Sequence, residues 1–347
     1  MKIIRDLNEL TVPLHNAVVT IGNFDGVHLG HREIFRRVVS KARELGGVSV
    51  VYTFVPHPLK VLAPERAPRL INTYAEKERL IEASCIDVLI CSPFNRETAA
   101  LSAEQFVEDI LVKKIGVRHL VVGYDYSFGR NREGNVDFLR RQGEALGFSV
   151  EVLGPIVGQG EVYSSSRIRR LLVDGDVQSV VGLLGRHFSL QGEVVHGDKR
   201  GHGLGFPTAN LATEKEILPR PGVYAVKVKR DESFCDGVVN IGCNPTFCRE
   251  GISVEVHLLD FHEQIYGETL RIYFVERLRD EIRFPSPAEL RLAIEADISR
   301  ARKILVDAKI VEYREYLDCG MGTAGRGTRD GELKSDERQN NLPGGRD

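Results

Sequence analysis

The residues best suited to chemistry lie near the start of the chain, in "TIGNFDGVHLGH", Thr20 to His31. Three glycines, an aspartate and two histidines fall within twelve residues. His28 and His31 stand three apart across an expected strand-to-helix junction, and four chemistries compete for them. Zinc wants a third ligand and usually i,i+4 spacing on a helix, and no cysteine or second histidine pair is near. A nucleophile–base arrangement wants a nucleophile beside the histidine, and none is obvious. Phosphate binding suits the glycines, which let backbone approach a polyphosphate, and the helix that follows, whose first N–H groups and dipole attract anions. Two imidazoles there can donate hydrogen bonds to oxygens on which charge develops. The fourth reading is two polar residues at a helix start. No GxxxxGK[ST] loop is present, so a phosphate site here is of another kind.

Two further stretches carry reactive groups. In "SSSRIRR", Ser165, Ser166, Arg167 and Arg169 place hydroxyls and guanidiniums at an expected helix N-terminus, as a second anion-binding set or as a solvated cap. In "GDKRGHGLGFPTANL", Gly197, Gly201, Gly203 and Gly205 suggest a loop with exposed N–H groups able to wrap a phosphate. Thr208 and Asn210 lie two apart, so an extended segment points both to one side. Their hard oxygens suit Mg²⁺ held with a nucleotide, although a glycine-rich turn leading into a strand has the same pattern.

These groups need a scaffold. The first half alternates apolar runs with helical patterns: "HNAVVTIGNF", "VSVVYTF", "IDVLICS", "RHLVVGYDYSFG" and "FSVEVLG" read as strands. Between the first two, Ile34, Phe35, Val38, Val39, Ala42 and Leu45 share one face of a helix that stops at Gly46-Gly47. Ser102 with Gln105 forms a capping box for another helix. This rhythm predicts a parallel sheet covered by helices, with ligands at the carboxyl ends of its strands. After about Arg186 the strands "HFSLQGEVVHG", "GVYAVKVKR", "CDGVVNIG", "ISVEVHLLDF" and "TLRIYFVERL" follow one another across Gly/Pro turns, which predicts a small antiparallel barrel. Leu290, Ile294, Ile298, Ala301 and Leu305 mark a last helix. In "ISVEVHLLDF", Glu255 falls on the polar face, where a carboxylate is ordinarily just solvated.

Composition agrees with two ordinary domains: 347 residues, 42% hydrophobic, 28% charged. A net charge of −2 gives no nucleic-acid footprint for the chain as a whole. No apolar run has the length of a membrane span, and Arg5, Asp6 and Glu9 interrupt any secretory core, so a soluble cytoplasmic protein is expected. The six cysteines make no CxxC pair and are expected to be scattered reduced thiols. The Gly-rich, charged end of the chain is expected to be disordered.

"GNFDGVHLGH", "TFVPHP", "GYDYSFG" and "SSSRIRRLL", in that order, resemble the adenylyltransferase half of the bacterial bifunctional riboflavin kinase/FAD synthetase family, and "GLGFPTANL" is similar to its flavokinase signature. The resemblance covers residues from about 12 to 312. It implies a Rossmann-like nucleotidyltransferase domain, expected over 1–185, and a riboflavin-kinase-like barrel with a terminal helix, expected over 186–317; it leaves out the tail, 318–347, which composition sets apart. It implies that Gly22, Asn23, His28, His31, Ser165, Ser166 and Arg167 hold ATP phosphates. Phe24, Pro56-His57-Pro58 and Asp125 then lie beside the nucleotide or FMN. Serine stands at Ser166 where the family often has threonine, which keeps the hydroxyl. In the barrel the resemblance gives the glycines, Thr208 and Asn210 to ATP and Mg²⁺, and makes Glu255 the base for the riboflavin 5′-hydroxyl. "NIGCNPTF" also matches, and Asn244 to Phe247 are expected to support the substrate loop.

The expected function is two sequential reactions: riboflavin and ATP give FMN, then FMN and a second ATP give FAD and pyrophosphate. Expected partners are these small molecules, with no nucleic acid, no membrane and at most weak self-association. Three rivals differ in sequence. A kinase with an inactive nucleotidyltransferase domain should show a broken HxGH or SSSRIR. A flavin-binding regulator would not need Thr208, Asn210 and Glu255 together. A nucleotidyltransferase with another acceptor, such as a pantetheine-type phosphate, would not need the barrel.

Overall fold

The computed structural model describes residues 1–158, 160–197, 205–243 and 252–312. Six parallel strands build the first half: β1 (Lys2–Ile4), β2 (Ala17–Ile21), β3 (Ser49–Val55), β4 (Val88–Pro93), β5 (Val117–Gly123) and β6 (Ser149–Leu153), in the order β1-β4-β3-β2-β5-β6. Every residue of β2 is buried, as expected of a central parallel strand covered on both faces. The edge strand β1 carries no sequence signal, because three residues pairing along Val88–Ile90 are too few to show a period. After β2 the chain enters α1 (Leu29–Glu44), which buries Phe35, Val38 and Ala42 against the sheet. Gly46 takes φ +58° just past its end, where a left-handed residue stops a helix.

The remaining helices of this half are α2 (Pro58–Leu62), α3 (Tyr74–Glu82), α4 (Arg96–Ala100), α5 (Ala103–Gln105), α6 (Val136–Leu146), α7 (Ser165–Asp174) and α8 (Val177–Leu184). The Ser102–Gln105 capping box forms, but past α5 the helix widens to π geometry over Phe106–Ile115 and ends on left-handed Gly116. A two-stranded hairpin, β7 (Val157–Gly158) with β8 (Glu161–Val162), precedes α7.

The second half is a closed antiparallel barrel of β9 (Ser189–Val195), β10 (Ala209–Ala212), β11 (Gly222–Arg230), β12 (Ser233–Cys243), β13 (Ile252–Leu258) and β14 (Thr269–Arg279), ordered β10-β13-β12-β11-β14-β9. Alternation sets its faces. Tyr224, Val226, Val239, Val254, Val256 and Ile272 fill the interior, while Val223, Ala225 and Leu278 face α9 (Pro287–Leu305) through Ala301 and Leu305. Arg279 holds α9 through Asp297, Nε to Oδ2 at 2.9 Å. The barrel core runs on into Ile168, Leu172, Val180 and Leu184 of α7 and α8, so sheet and barrel form one compact unit.

Cys91 and Cys235 are free thiols, but Cys85 is disulfide-bonded, which corrects the expectation of reduced thiols throughout. Proximity in the fold decides such pairing, and spacing in the sequence does not reveal it.

Candidate active sites

The carboxyl end of β2 leads into a loop of unusual backbone. Phe24, Gly26 and Val27 take φ of +46°, +86° and +39° before the chain enters α1. His28 is the N-cap: its Nδ1 accepts the His31 N–H at 3.3 Å. With Nδ1 accepting, the proton sits on Nε2, a donor free for a ligand. The two imidazoles stack, centroids 3.6 Å apart. Gly30 makes room here, since a Cβ would come within 3.1 Å of the His28 ring and 3.2 Å of Tyr163 Cβ and press on both.

Both histidines are neutral. Burial, helped by Arg186 and Arg169, lowers His28 to about 4. Burial also holds His31 well below the ordinary imidazole range, with His28, Lys77 and Arg186 adding to it. His31 Nδ1 is buried with no hydrogen-bond partner among the described residues. Phe24 turns its ring into the core, edge-on to His31 at 5.3 Å and packed on Phe35, so it props the histidine from below.

The loop is held from three sides. Asp25 accepts the Ile71 N–H at 3.0 Å and pairs with Arg169 at 2.5 Å. Ser165 Oγ donates to the Asp25 carbonyl at 2.8 Å. Arg186, at the entry to the barrel, donates to the Gly26 and Val27 carbonyls at 2.7 and 3.0 Å. Asn23 and His57 line one cleft together with Asn72, Tyr74 and Lys77. His57 caps α2, its Nδ1 accepting the Leu59 N–H at 3.2 Å, and burial lowers its pKa. Pro56 is exposed and Pro58 opens α2. Asp125 sits exposed in the turn after β5, at the same end of the sheet as Gly22 and Asn23.

At α7 the N-cap is Ser164, not a later serine, and it accepts the Arg167 N–H at 3.3 Å. Ser166 is exposed. Arg167 pairs with Glu161 of β8, and its buried Nε has no hydrogen-bond partner among the described residues.

In the barrel, register does what spacing could not. Asn210 on β10 lies opposite Glu255 on β13, and Glu255 lies opposite Asn240 on β12, so the three share one outer face. Thr208 precedes Asn210 by two residues. His257 is fixed on that face, its Nδ1 donating to the Pro207 carbonyl at 2.8 Å. A Cβ on Gly197 would overlap the Asn210 amide, so glycine is needed beside it. Glu281 reaches the same neighbourhood, 2.5 Å from where a Cβ on Gly242 would sit, with Asn240 Nδ2 at 3.0 Å. Gly205 takes φ +87°. Gly201, Gly203 and Asn244 to Phe247 lie outside the described residues, as does the 318–347 tail.

Sequence patterns offer no reason to choose Lys77, Arg186 or Asn240, and they assign Asp25 no role of its own. Asp25 stood inside the first motif, and Asn240 follows from alternation in "CDGVVNIG" once the strand register is known.

A parallel-sheet domain with paired histidines at its β2–α1 turn, joined to a closed barrel carrying a Thr-x-Asn segment against a glutamate, defines a nucleotidyl-transferring and phosphoryl-transferring enzyme. A family model described as FAD synthetase matches residues 11–167, and one described as riboflavin kinase matches 184–305. The bifunctional riboflavin kinase/FMN adenylyltransferase of Pseudomonas fluorescens is 40% identical over 305 residues, covering 88% of this chain and 98% of that protein. Its counterpart in Escherichia coli K12 is 38% identical over 305 residues, with 87% and 97% covered. A crystal structure described as a macrolide-efflux protein from Streptococcus pneumoniae matches with a TM-score of 0.77 at 32% identity, covering 86% of this chain and 98% of that one. The chain belongs to the bifunctional riboflavin kinase/FMN adenylyltransferase family. Among the described residues no helix is long and apolar enough to cross a membrane.

Proposed function

We infer that the chain makes FAD in two steps, each in its own half. The barrel transfers the γ-phosphoryl group of ATP to riboflavin, giving FMN. The α/β half transfers AMP from a second ATP to FMN, releasing pyrophosphate. The observation that supports this reading is the occurrence of two separate residue sets, the buried His28–His31 pair at the α1 start and the Asn210–Glu255 pairing in the barrel. We place the division at 185/186, with a kinase domain to 317 and a tail beyond it. The cytoplasm as compartment, no nucleic-acid partner and at most weak self-association belong to the same reading.

In the kinase step, Glu255 accepts the proton of the riboflavin 5′-hydroxyl as the hydroxyl oxygen bonds to the γ-phosphorus and the bond from that phosphorus to the departing ADP breaks. Thr208 and Asn210 offer two neutral hard oxygens, and among the described residues no cluster of three or more His, Cys, Asp or Glu exists to hold a metal instead. That donor set fits Mg²⁺ bound jointly with ATP phosphates, where the ion supplies charge neutralisation. Gly197 and Gly205 leave room for the polyphosphate.

In the adenylyl step the FMN phosphate is already anionic and needs no strong base. Its oxygen forms a bond to the α-phosphorus while the bond to pyrophosphate breaks. His28 and His31, held neutral by burial, act as hydrogen-bond donors to the leaving oxygens and not as proton shuttles. Gly22 and Asn23 bring backbone to the phosphates, Ser165 and Ser166 add hydroxyls, and Arg167 exchanges Glu161 for a phosphate oxygen. Pro56-His57-Pro58 and Asp125 bound the nucleotide and flavin, while Phe24, buried against Phe35, acts only through the histidine it supports.

Chromatography of the products from ATP, Mg²⁺ and riboflavin tests the reading. FMN followed by FAD is expected; absence of both sinks it. Thr208→Ala is expected to stop FMN formation and spare conversion of FMN to FAD, and His28→Ala to do the reverse. Loss of both activities in either folded variant would refute two separate sites.

A further inference from the structure

Lys77 on α3 is a buried ammonium in the adenylyl-transfer cleft, 7% exposed, and the chemistry described above does not use it. Two of its three N–H donors go to neutral acceptors, the Asn23 carbonyl at 3.2 Å and Thr53 Oγ1 at 3.3 Å. Among the described residues no carboxylate lies within ion-pair distance of it. Asp25 spends its oxygens on Ile71, Asn72 and Arg169. Glu78, one residue along α3, is held by Arg5 at 2.7 and 3.0 Å. The other groups facing Lys77 are the Tyr74 ring, 5.2 Å from Nζ, and Cys91, a thiol that burial keeps protonated.

An ammonium taken out of water is costly unless an anion meets it. Burial pushes the Lys77 pKa down from its ordinary value, and its own charge helps to keep His31 and His57 neutral. The cleft therefore holds Lys77, with a donor to spare, beside the uncharged His57 and below the loop that carries Asn23. Of the arginines nearby, Arg169 is committed to Asp25 and Arg186 to backbone carbonyls, while Arg167, paired with Glu161, is a second cation for the phosphates beside Lys77.

We propose that Lys77 is a phosphate-binding residue of the adenylyl-transfer site: its Nζ takes an anionic oxygen of the reacting phosphates and supplies the positive charge that His28 and His31 do not. Lys77 keeps its proton throughout, so the bond changes at the α-phosphorus are unaltered. This rests on reading the cleft as the site of FMN adenylylation. Two sources share the chemistry, the phosphates of ATP and the phosphate of FMN.

The test uses the full chain with both reactions followed on one preparation. Lys77→Met keeps the bulk and removes the charge; kcat/KM for FMN to FAD is expected to fall about 100-fold or more, the loss typical of one oxyanion donor. Riboflavin phosphorylation is expected to stay within about twofold. A raised KM for ATP assigns the contact to ATP, a raised KM for FMN assigns it to FMN, and a fall in kcat alone assigns it to the transition state. Lys77→Ala separates charge from scaffolding, since ethylammonium or propylammonium is expected to restore FAD formation in proportion to its concentration. FAD formation by Lys77→Met within threefold of wild type overturns the proposal. So does a Lys77→Ala enzyme that no amine restores, because Lys77 would then only hold Asn23. If Lys77→Met loses the kinase rate as well, the amine experiment decides alone. Wild-type chain that makes no FAD at all would instead overturn the reading of the cleft.

Discussion

His28→Asn separates the burial of this imidazole from its chemistry. The wild-type ring is 5% exposed, caps α1, and has its pKa lowered from 6.5 to about 4. Above pH 6.5 the ring is neutral in the folded and unfolded chains alike. As pH falls below 6.5 the unfolded chain takes up a proton that the folded chain refuses until about pH 4. Stability due to this group is therefore complete above that window and is lost on acidification. Each pH unit inside it costs about 1.4 kcal/mol, so the full window is worth about 3 kcal/mol. Asparagine is a good N-cap and keeps an acceptor for the His31 N–H, but it does not titrate. Urea unfolding of both proteins at pH 7 and pH 5 reads the difference. Wild type is expected to lose about 2 kcal/mol more than His28→Asn over that interval. FAD formation by the variant should be slowed about 100-fold or more, because the Nε2 donor is gone, while riboflavin phosphorylation is retained. Equal losses of stability on acidification would refute a neutral, buried His28. Undiminished FAD formation would refute its role as donor.

Glu255→Gln keeps the shape of the carboxylate and removes its basicity; riboflavin phosphorylation is expected to fall about 10²- to 10⁴-fold with FMN adenylylation unchanged, measured by separate assays from riboflavin and from FMN. Gly30→Ala pushes a methyl group against the His28 ring and Tyr163. It is expected to destabilise the chain by about 1–3 kcal/mol in urea unfolding and to depress FAD formation more than FMN formation.

Much of the architecture was legible because alternation and helical spacing are strong signals in long elements. The β2–α1 junction, the α7–α8 pair and the face of α1 follow from patterns in the chain, except that Leu45, expected on that face, is exposed just past the helix end. The strands of the barrel are where Gly/Pro turns placed them, except that β10, four residues long after a glycine-rich stretch, was visible only as an extended segment. The edge strand β1 and the π geometry over Phe106–Ile115 have no local signature. For the sites, residue types at a turn could be read, but their electrical state could not. That His28 and His31 are neutral depends on burial and on Arg186, which arrives from more than 150 positions away. Asn240 joins Glu255 and Asn210 only through strand register.

The bonds between barrel and sheet bear on how the two halves can be parted. Lys215, in the loop after β10, reaches back to Glu76 of α3 at 2.5 Å, and Glu216 accepts the Leu70 N–H at 2.9 Å and pairs with Lys60. Arg186 reaches the Gly26 and Val27 carbonyls. All three come from the kinase side of the proposed 185/186 division, and all three end on the segments that frame the cleft proposed for adenylyl transfer. A chain cut at that division would take Lys215 away from Glu76 and leave that carboxylate to water and to its remaining partners, the Thr73 N–H and Asn72. It would also bare the surfaces of α7 and α8 that complete the barrel core. The adenylyltransferase half thus borrows part of its rigidity from a catalyst of a different reaction.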